Sequence, residues 1–289
     1  MLTCLLLGSG GAVPTPERMP AAYWVTVDGQ ALLVDPGPGA LVRLLRSPYG
    51  PSGVDAITGL LLSHLHLDHC ADVAPLLFAL HSPIPAGTDP LLIAGPPGLA
   101  RYLERLRDLY GDWLIPARRA VRVEELAPGE SLAPDVAGQW RRAPADRPGP
   151  AVTAHDANHG ETRFSDLNLC FRFRDAAGLT LAYSGDGEDG DGLRAAARGA
   201  DLLIVECSTP DAWYTPGHLT PSAVGQLCAA TGPRRVVLTH LYPPAAALDL
   251  PALVGAIWSG PVETARDGVL YTVGSPSTAN PEPTAAGPH

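Results

Sequence analysis

Three histidines and one carboxylate fall within six positions of the stretch Ser63-His64-Leu65-His66-Leu67-Asp68-His69. Imidazole nitrogens and carboxylate oxygens are good zinc ligands, with His–metal distances of about 2.0–2.1 Å. Ahead of them, Ile57-Thr58-Gly59-Leu60-Leu61-Leu62 reads as a short buried strand, so the cluster is expected on the loop that leaves it. His64 and His66 are two residues apart and share a face in an extended segment. Asp68 and His69 follow as the chain turns, toward a second nearby point. One loop could thus supply half of each of two metal sites. A merely His-rich surface loop is the competing reading. It is weakened by further ligand-type residues, His159, Asp186 and His240, at the ends of later strand-like segments.

This H-x-H-x-D-H string resembles the signature of the metallo-β-lactamase superfamily, and the resemblance covers most of residues 1–275. It implies an α/β fold, a four-layer αβ/βα sandwich with the site at one edge between two sheets. A single hydrolase domain over residues 1–274 is expected. By the same resemblance, His159 in Asn158-His159-Gly160 precedes the strand Leu169-Cys170-Phe171-Arg172-Phe173 as a ligand, with His155 as the alternative. Asp186 in Tyr183-Ser184-Gly185-Asp186 matches the bridging carboxylate, and His240 in Leu238-Thr239-His240 the final ligand. The implied arrangement is His64, His66 and His159 on one metal, Asp68, His69 and His240 on the other, and Asp186 between. Asp35, in Asp35-Pro36-Gly37, would support the ligand loop by orienting an imidazole, and it is also a natural turn residue. His66, where a carboxylate would favour a di-iron redox site, points to a hydrolytic Zn2+ pair, with Mn2+ or Fe2+ open. Cys70 reads as a small buried residue rather than a thiolate ligand. Such a pair lowers the pKa of water toward about 7, and the resemblance implies a bridging hydroxide that Asp68 orients or deprotonates.

A second motif narrows the reaction. Gly217-His218-Leu219-Thr220 resembles the His-Ser-Thr-like motif of ribonuclease Z and its phosphodiesterase relatives. Glu206, in Ile204-Val205-Glu206-Cys207, resembles the glutamate paired with that histidine. A protonated His218 held by Glu206 would stabilise a phosphoryl oxygen or protonate the leaving group. The implied function is a two-metal phosphodiesterase, acting on RNA 3′ ends or on small or cyclic phosphodiesters. A lactone, thioester or β-lactam hydrolase on the same scaffold is the alternative. A non-catalytic metal-binding module is a third, against which the complete ligand set speaks.

Composition bounds the partners. The chain has 289 residues, 30 acidic against 20 basic, for a formal charge of −10. Lysine is absent. A net anion is a weak general trap for nucleic acid, which needs cationic side chains. The basic, proline-rich run 141–150 reads as an exposed loop, more a solvated turn than an RNA-docking arm. No glycine- and proline-rich arm of the kind ribonuclease Z uses for transfer RNA is evident. Five scattered cysteines without a C-x-x-C pair argue against a disulfide framework and for a reducing compartment. With no basic, apolar leader and no apolar run of about 18 residues, the expectation is a cytoplasmic protein without a membrane span. By analogy with relatives, a homodimer is possible. The Pro/Ser/Ala/Gly-rich residues 275–289 read as a disordered tail.

The elements that must position these groups follow from pattern. Residues 2–7 read as a buried strand that runs into Gly8-Ser9-Gly10-Gly11. That turn lacks a Walker lysine and a G-x-G-x-x-G, and is read as a tight loop beside the metal site. Asp28-Gly29 signals a hairpin between strands 23–27 and 31–34. Helical spacing is seen over 39–45, 71–80, 99–109, 221–231 and 251–258, with Leu103, Leu106 and Leu109 as the apolar stripe of the third. Further strands are expected over 91–93, 121–123, 152–158, 168–173, 179–183, 201–205, 235–238 and 269–273. Glu188, Asp189 and Asp191 read as a solvated turn.

Overall fold

A computed structural model describes residues 1–160 and 162–275. Of the expected tail, residues 276–289 lie outside the described residues. The first half of the chain forms β1 (Leu2–Gly8), β2 (Ala22–Val27), β3 (Gln30–Val34), β4 (Gly59–Leu61), β5 (Leu91–Gly95) and β6 (Val121–Glu125). The second half adds β7 (Ser131–Pro134), β8 (Trp140–Ala143), β9 (Ala151–Asp156), β10 (Leu169–Arg174), β11 (Thr180–Tyr183), β12 (Leu202–Glu206), β13 (Val236–Thr239), β14 (Val262–Thr264) and β15 (Leu270–Thr272). The helices are α1 (Ala40–Arg46), α2 (Leu67–Cys70), α3 (Val73–His81), α4 (Leu99–Tyr110), α5 (Asp191–Ala197), α6 (Pro221–Thr231), α7 (Pro243–Ala246) and α8 (Leu250–Gly255).

These strands make two sheets, in the orders β15-β1-β2-β3-β4-β5-β6 and β14-β13-β12-β11-β10-β9-β7-β8. The period-two alternation of strand side chains explains the layering. Leu2, Cys4 and Leu6 of β1 face the second sheet, where Phe171, Phe173 and Ile204 meet them. Leu5 and Leu7 face the other way, onto Leu44 of α1, Leu76 of α3 and Leu103 of α4. On the second sheet, Leu203, Val205 and Leu238 turn outward onto Leu193 of α5, Val224 of α6 and Leu250 of α8. Three apolar layers thus separate four layers of structure, as the sandwich requires. Burying one such leucine or phenylalanine stabilises the fold by about 1.5–3 kcal/mol. Tyr23 crosses the middle layer and hydrogen-bonds Thr239 at 2.8 Å.

Several expectations are corrected. Arg141 and Arg142 lie in the edge strand β8 rather than in a loop. Arg141 pairs with Asp135 at 3.1 Å, and Arg142 with Glu124 at 2.9 Å and with Glu130. The start of the basic run is therefore neutralised within the fold. Asp191 opens α5 instead of lying in a turn. Leu109 is 71% exposed, and α4 is seated by Leu99, Tyr102 and Leu103. The short strands β7 and β14 lie outside the segments that the sequence pattern marks as strands. Among the described residues, no helix is long and apolar enough to cross a membrane. All five cysteines are free and buried.

Candidate active site

Most of the chemistry-bearing residues leave the C-terminal ends of parallel strands, while His159 follows the antiparallel β9 and His218 lies in the loop before α6. β3 and β4 run parallel, with Val34 beside Leu61, and release Asp35 and the 63–69 loop. β11, β12 and β13 are parallel in turn, with Glu206 of β12 beside Thr239 of β13. They release Asp186, Glu206 and His240. His64 and His66 sit on the loop, while Asp68 and His69 fall in α2, a single helical turn. The Asp-Pro-Gly turn is needed for packing: a Cβ on Gly37 would lie 2.1 Å from the carbonyl oxygen of Asp68. The glycine-rich loop after β1 does lie beside the cluster. A Cβ on Gly11 would meet the Tyr242 ring at 2.7 Å and His240 at 3.1 Å.

Two triads form. Ligand-type atoms of His64, His66 and His159 lie within 4.8 Å of one another, and so do those of Asp68, His69 and His240. Asp186 stands between the triads. Its Oδ2 is 3.3 Å from His69 Nε2, 3.2 Å from His240 Nε2, 3.8 Å from His64 Nε2 and 4.0 Å from His159 Nε2. Its Oδ1 is buried and has no hydrogen-bond partner, as is His64 Nε2. His155 is not in this group. Val152 and Ala154 of β9 face the middle layer, so alternation turns His155 to the helix side, opposite Cys170.

Hydrogen bonds decide which imidazole nitrogen faces inward. Asp35 accepts from Ser63 N at 2.7 Å, Ser63 Oγ at 2.6 Å, His69 Nδ1 at 2.9 Å and Tyr183 Oη at 2.6 Å. A carboxylate only accepts, so His69 carries its proton on Nδ1. His159 Nδ1 donates to the carbonyl oxygen of Gly217 at 2.6 Å. On the opposite sheet, Ser208 Oγ donates to Glu206 and contacts His240 Nδ1 at 2.9 Å. The Nε2 atoms of His69 and His240 consequently face each other 3.2 Å apart. Two lone pairs at that distance are held together only by a proton or a cation between them. His66 Nδ1 and His159 Nε2 make a second such contact at 3.2 Å. The donor set therefore fits a pair of divalent cations.

Electrostatics agree. Burial, reinforced by the neighbouring His69, drives the His64 pKa well below the usual imidazole range, which keeps the ring neutral. Burial raises the Asp186 pKa, but His240 and His69 outweigh it and hold the group well below the carboxylate range. Burial lowers the His69 pKa, and Asp186 and Asp35 more than reverse that, so a proton occupies in the bare protein the place a cation would take. His218 lies beside this cluster, its ring 5.7 Å from His240 and 4.8 Å from His159 between centroids. Its Nδ1 is 3.1 Å from the fully buried Glu206. Burial lowers its pKa, but the Glu206 hydrogen bond and charge prevail and raise it to about 9.

Some residues escaped the sequence reading. Ser63, Ser208 and Tyr183 have no motif that marks them, since each has a partner remote in sequence: Asp35 for Ser63 and Tyr183, and His240 for Ser208. Glu188 is no idle turn residue: it accepts from Gly217 N and Tyr214 Oη, both at 2.7 Å, and fastens the loop that carries His218. Asp35 and His240 are both in the left-handed region, at φ 46° and 55°. Strain of this kind in non-glycine residues gathers at functional sites.

Known proteins place the chain in context. It is 29% identical to a ribonuclease Z of Mycobacterium bovis over 285 residues, covering 92% of this chain and 96% of that one. Its fold matches the metallo-β-lactamase fold protein YhfI of Bacillus subtilis with a TM-score of 0.73 and 22% identity, over 93% of this chain and 98% of that chain. It matches human tRNase Z, short form, with a TM-score of 0.71 and 23% identity, over 94% and 99%. Residues 30–241 match the beta-lactamase superfamily domain, and the chain belongs to that family.

Proposed function

We propose that this chain is a two-metal phosphodiesterase whose cations, Zn2+ by donor chemistry, are held by His64, His66 and His159 and by Asp68, His69 and His240, with Asp186 between. The observation that carries this reading is the convergence of both triads around one buried carboxylate, with Nε2 of His64, His69, His159 and His240 within 4.0 Å of Asp186 Oδ2 and Nδ1 of His66 against His159 Nε2. Bound there, the pair would lower the pKa of a coordinated water toward about 7 and neutralise charge growing on a phosphoryl oxygen. Mn2+ or Fe2+ would suit the same donors, and metal analysis separates them.

The protein's own residues supply the proton chemistry. Asp68 Oδ2 lies 3.4 Å from His240 Nε2 and is the carboxylate that orients the attacking water and takes its proton. His218, held in its cationic form by Glu206, donates from Nε2 to the leaving oxygen or steadies a phosphoryl oxygen. That pair favours a phosphodiester over a thioester, whose departing thiolate needs less help from an acid. The relative named ribonuclease Z supports the same class. Within it we favour small or cyclic phosphodiesters over RNA, because Arg141 and Arg142 are paired internally and the net charge is −10.

The hydrolase domain spans residues 1–274 in this proposal. The five free, buried cysteines suit a cytoplasmic setting. An apolar surface formed by Phe78, Tyr110 and Trp113 offers a second copy a place to pack in a homodimer, which light scattering checks. The deciding experiment is turnover by the metal-loaded protein of bis(p-nitrophenyl) phosphate, cyclic nucleotides and precursor transfer RNA beside a lactone and a thioester. Diester turnover is expected; turnover confined to the carbonyl substrates would overturn the proposal.

A further inference from the structure

Two serines far apart in sequence occupy the same position relative to the cluster. Ser63 and Ser208 are both fully buried. Each stands between a buried carboxylate and an imidazole of the triads. Ser63 Oγ is 2.6 Å from Asp35 Oδ2 and 2.9 Å from His64 Nδ1. Ser208 Oγ bonds Glu206 Oε2 and lies 2.9 Å from His240 Nδ1. A hydroxyl has one proton. The carboxylate, an acceptor only, claims it. The oxygen can then meet the ring only as an acceptor, so the ring nitrogen facing it must be protonated. The opposite tautomer would put two lone pairs face to face in a site closed to water, an uncompensated contact costing about 1–3 kcal/mol.

We propose that Ser63 and Ser208 are positioning residues, each relaying the orientation of a buried carboxylate to one histidine and fixing His64 and His240 as Nδ1–H tautomers with Nε2 turned to the metals. This rests on the reading of the cluster as a metal centre. The two relays have different consequences. Asp35 also holds His69 directly, so its relay serves ligands alone. Glu206 also holds His218, so Ser208 ties a ligand histidine to the proton donor through one carboxylate. Partners of this kind typically alter metal affinity by about 10–100-fold when removed.

The test uses the full chain with Ser208→Ala, Ser63→Ala and Ser208→Thr. Histidine tautomers are read from ring 15N shifts in the metal-free protein at pH 8, and zinc affinity by competition with a chromogenic chelator. Ser208→Ala should release His240 alone from the pure Nδ1–H form and weaken one zinc equivalent about tenfold or more. Ser63→Ala should do the same to His64 and to the other equivalent, and Ser208→Thr should restore His240. His240 remaining purely Nδ1–H in Ser208→Ala, or both equivalents weakening alike in each variant, overturns the relay. Wild type that shows the tautomers and binds two zinc ions but cleaves no diester defeats the proposed reaction and leaves the relay standing. Wild type that binds no zinc defeats the metal centre, while the 15N shifts still decide the relay.

Discussion

The two sheets approach the cluster with the same parts and use them differently. On the first sheet, Asp35 follows β3 in a left-handed conformation and directs both of its imidazoles, His69 directly and His64 through Ser63, into the triads. On the second, Glu206 ends β12; its Oε2 accepts from Ser208, which meets His240, its Oε1 accepts from Gly187 N at 2.7 Å, and His218 Nδ1, outside the two expected triads, lies 3.1–3.2 Å from both oxygens. In the proposed function, one carboxylate would be committed to holding ligands, and the other would be shared between a ligand and a proton donor. A buried carboxylate can orient several groups at once because it accepts several hydrogen bonds, so the same device serves binding on one side and chemistry on the other.

The largest effect should come from the residue that belongs to both sides. Asp186→Ala removes the carboxylate that faces histidines of both triads. Diester turnover should fall by about 10³-fold or more, and the zinc content should drop below two equivalents, as measured by atomic absorption. Retention of both metals and of activity would dissolve the comparison altogether.

Next come variants that should separate the two sides. His218→Gln should lower kcat by about 10²–10⁴-fold while leaving the zinc stoichiometry intact. Asp35→Asn should behave in the opposite sense. It should weaken zinc binding about 10–100-fold and destabilise the fold by about 1–3 kcal/mol, since a carboxylate accepting four hydrogen bonds is replaced by a group that cannot accept them all. If both variants lose metal equally, the division of roles is wrong.

A finer test follows from protonation. In the metal-free protein the His218 ring should titrate at about 9, and Glu206→Gln should return it toward its ordinary value of about 6.5, read by NMR. The folded-state value is raised, so this pair stabilises the fold fully below pH of about 6.5 and loses that contribution as pH rises through about 9. Denaturation midpoints of wild type and Glu206→Gln should therefore change relative to each other across that window. The smallest effect is expected at the edge of the second sheet. Arg142→Ala, which removes a half-exposed ion pair with Glu124 and Glu130, should cost about 0–1 kcal/mol in denaturant melts and leave small-diester turnover unchanged.

Much of this architecture was legible in the chain. Long apolar runs announced β1, β5 and β12, and the Asp28-Gly29 pair marked its hairpin, since both residues adopt positive φ there. Pro221 in the first turn and Gly232 past the end framed α6, and Thr220 caps it through Ala223 N. What escaped notice had a common cause. β8 has one buried residue, Trp140, beside the exposed Arg141 and Arg142, so an edge strand reads as a basic loop. β14 is three half-buried residues with no period to detect. α5 begins on Asp191 in a run of acids and glycines, and its buried side is mostly alanine.

The amino-acid sequence determined the inventory of the site: residue types able to bind metal, spaced so that one loop supplies two half-sites, each later group directly after a strand. Those are local properties, set by side-chain chemistry and by the two-residue period of extended chain. Tertiary structure decided which of those groups meet and which atom each presents. His159, in the loop after β9, joins the cluster, and His155 does not, because strand alternation within β9 turns it to the helix side opposite Cys170. His240 presents Nε2 because Ser208, 32 residues away, and Glu206 claim its other side. Asp35 holds its loop partly through Tyr183, 148 residues distant. Tautomer and direction depend on hydrogen-bond partners, and a partner becomes definite only when the fold has brought remote residues together.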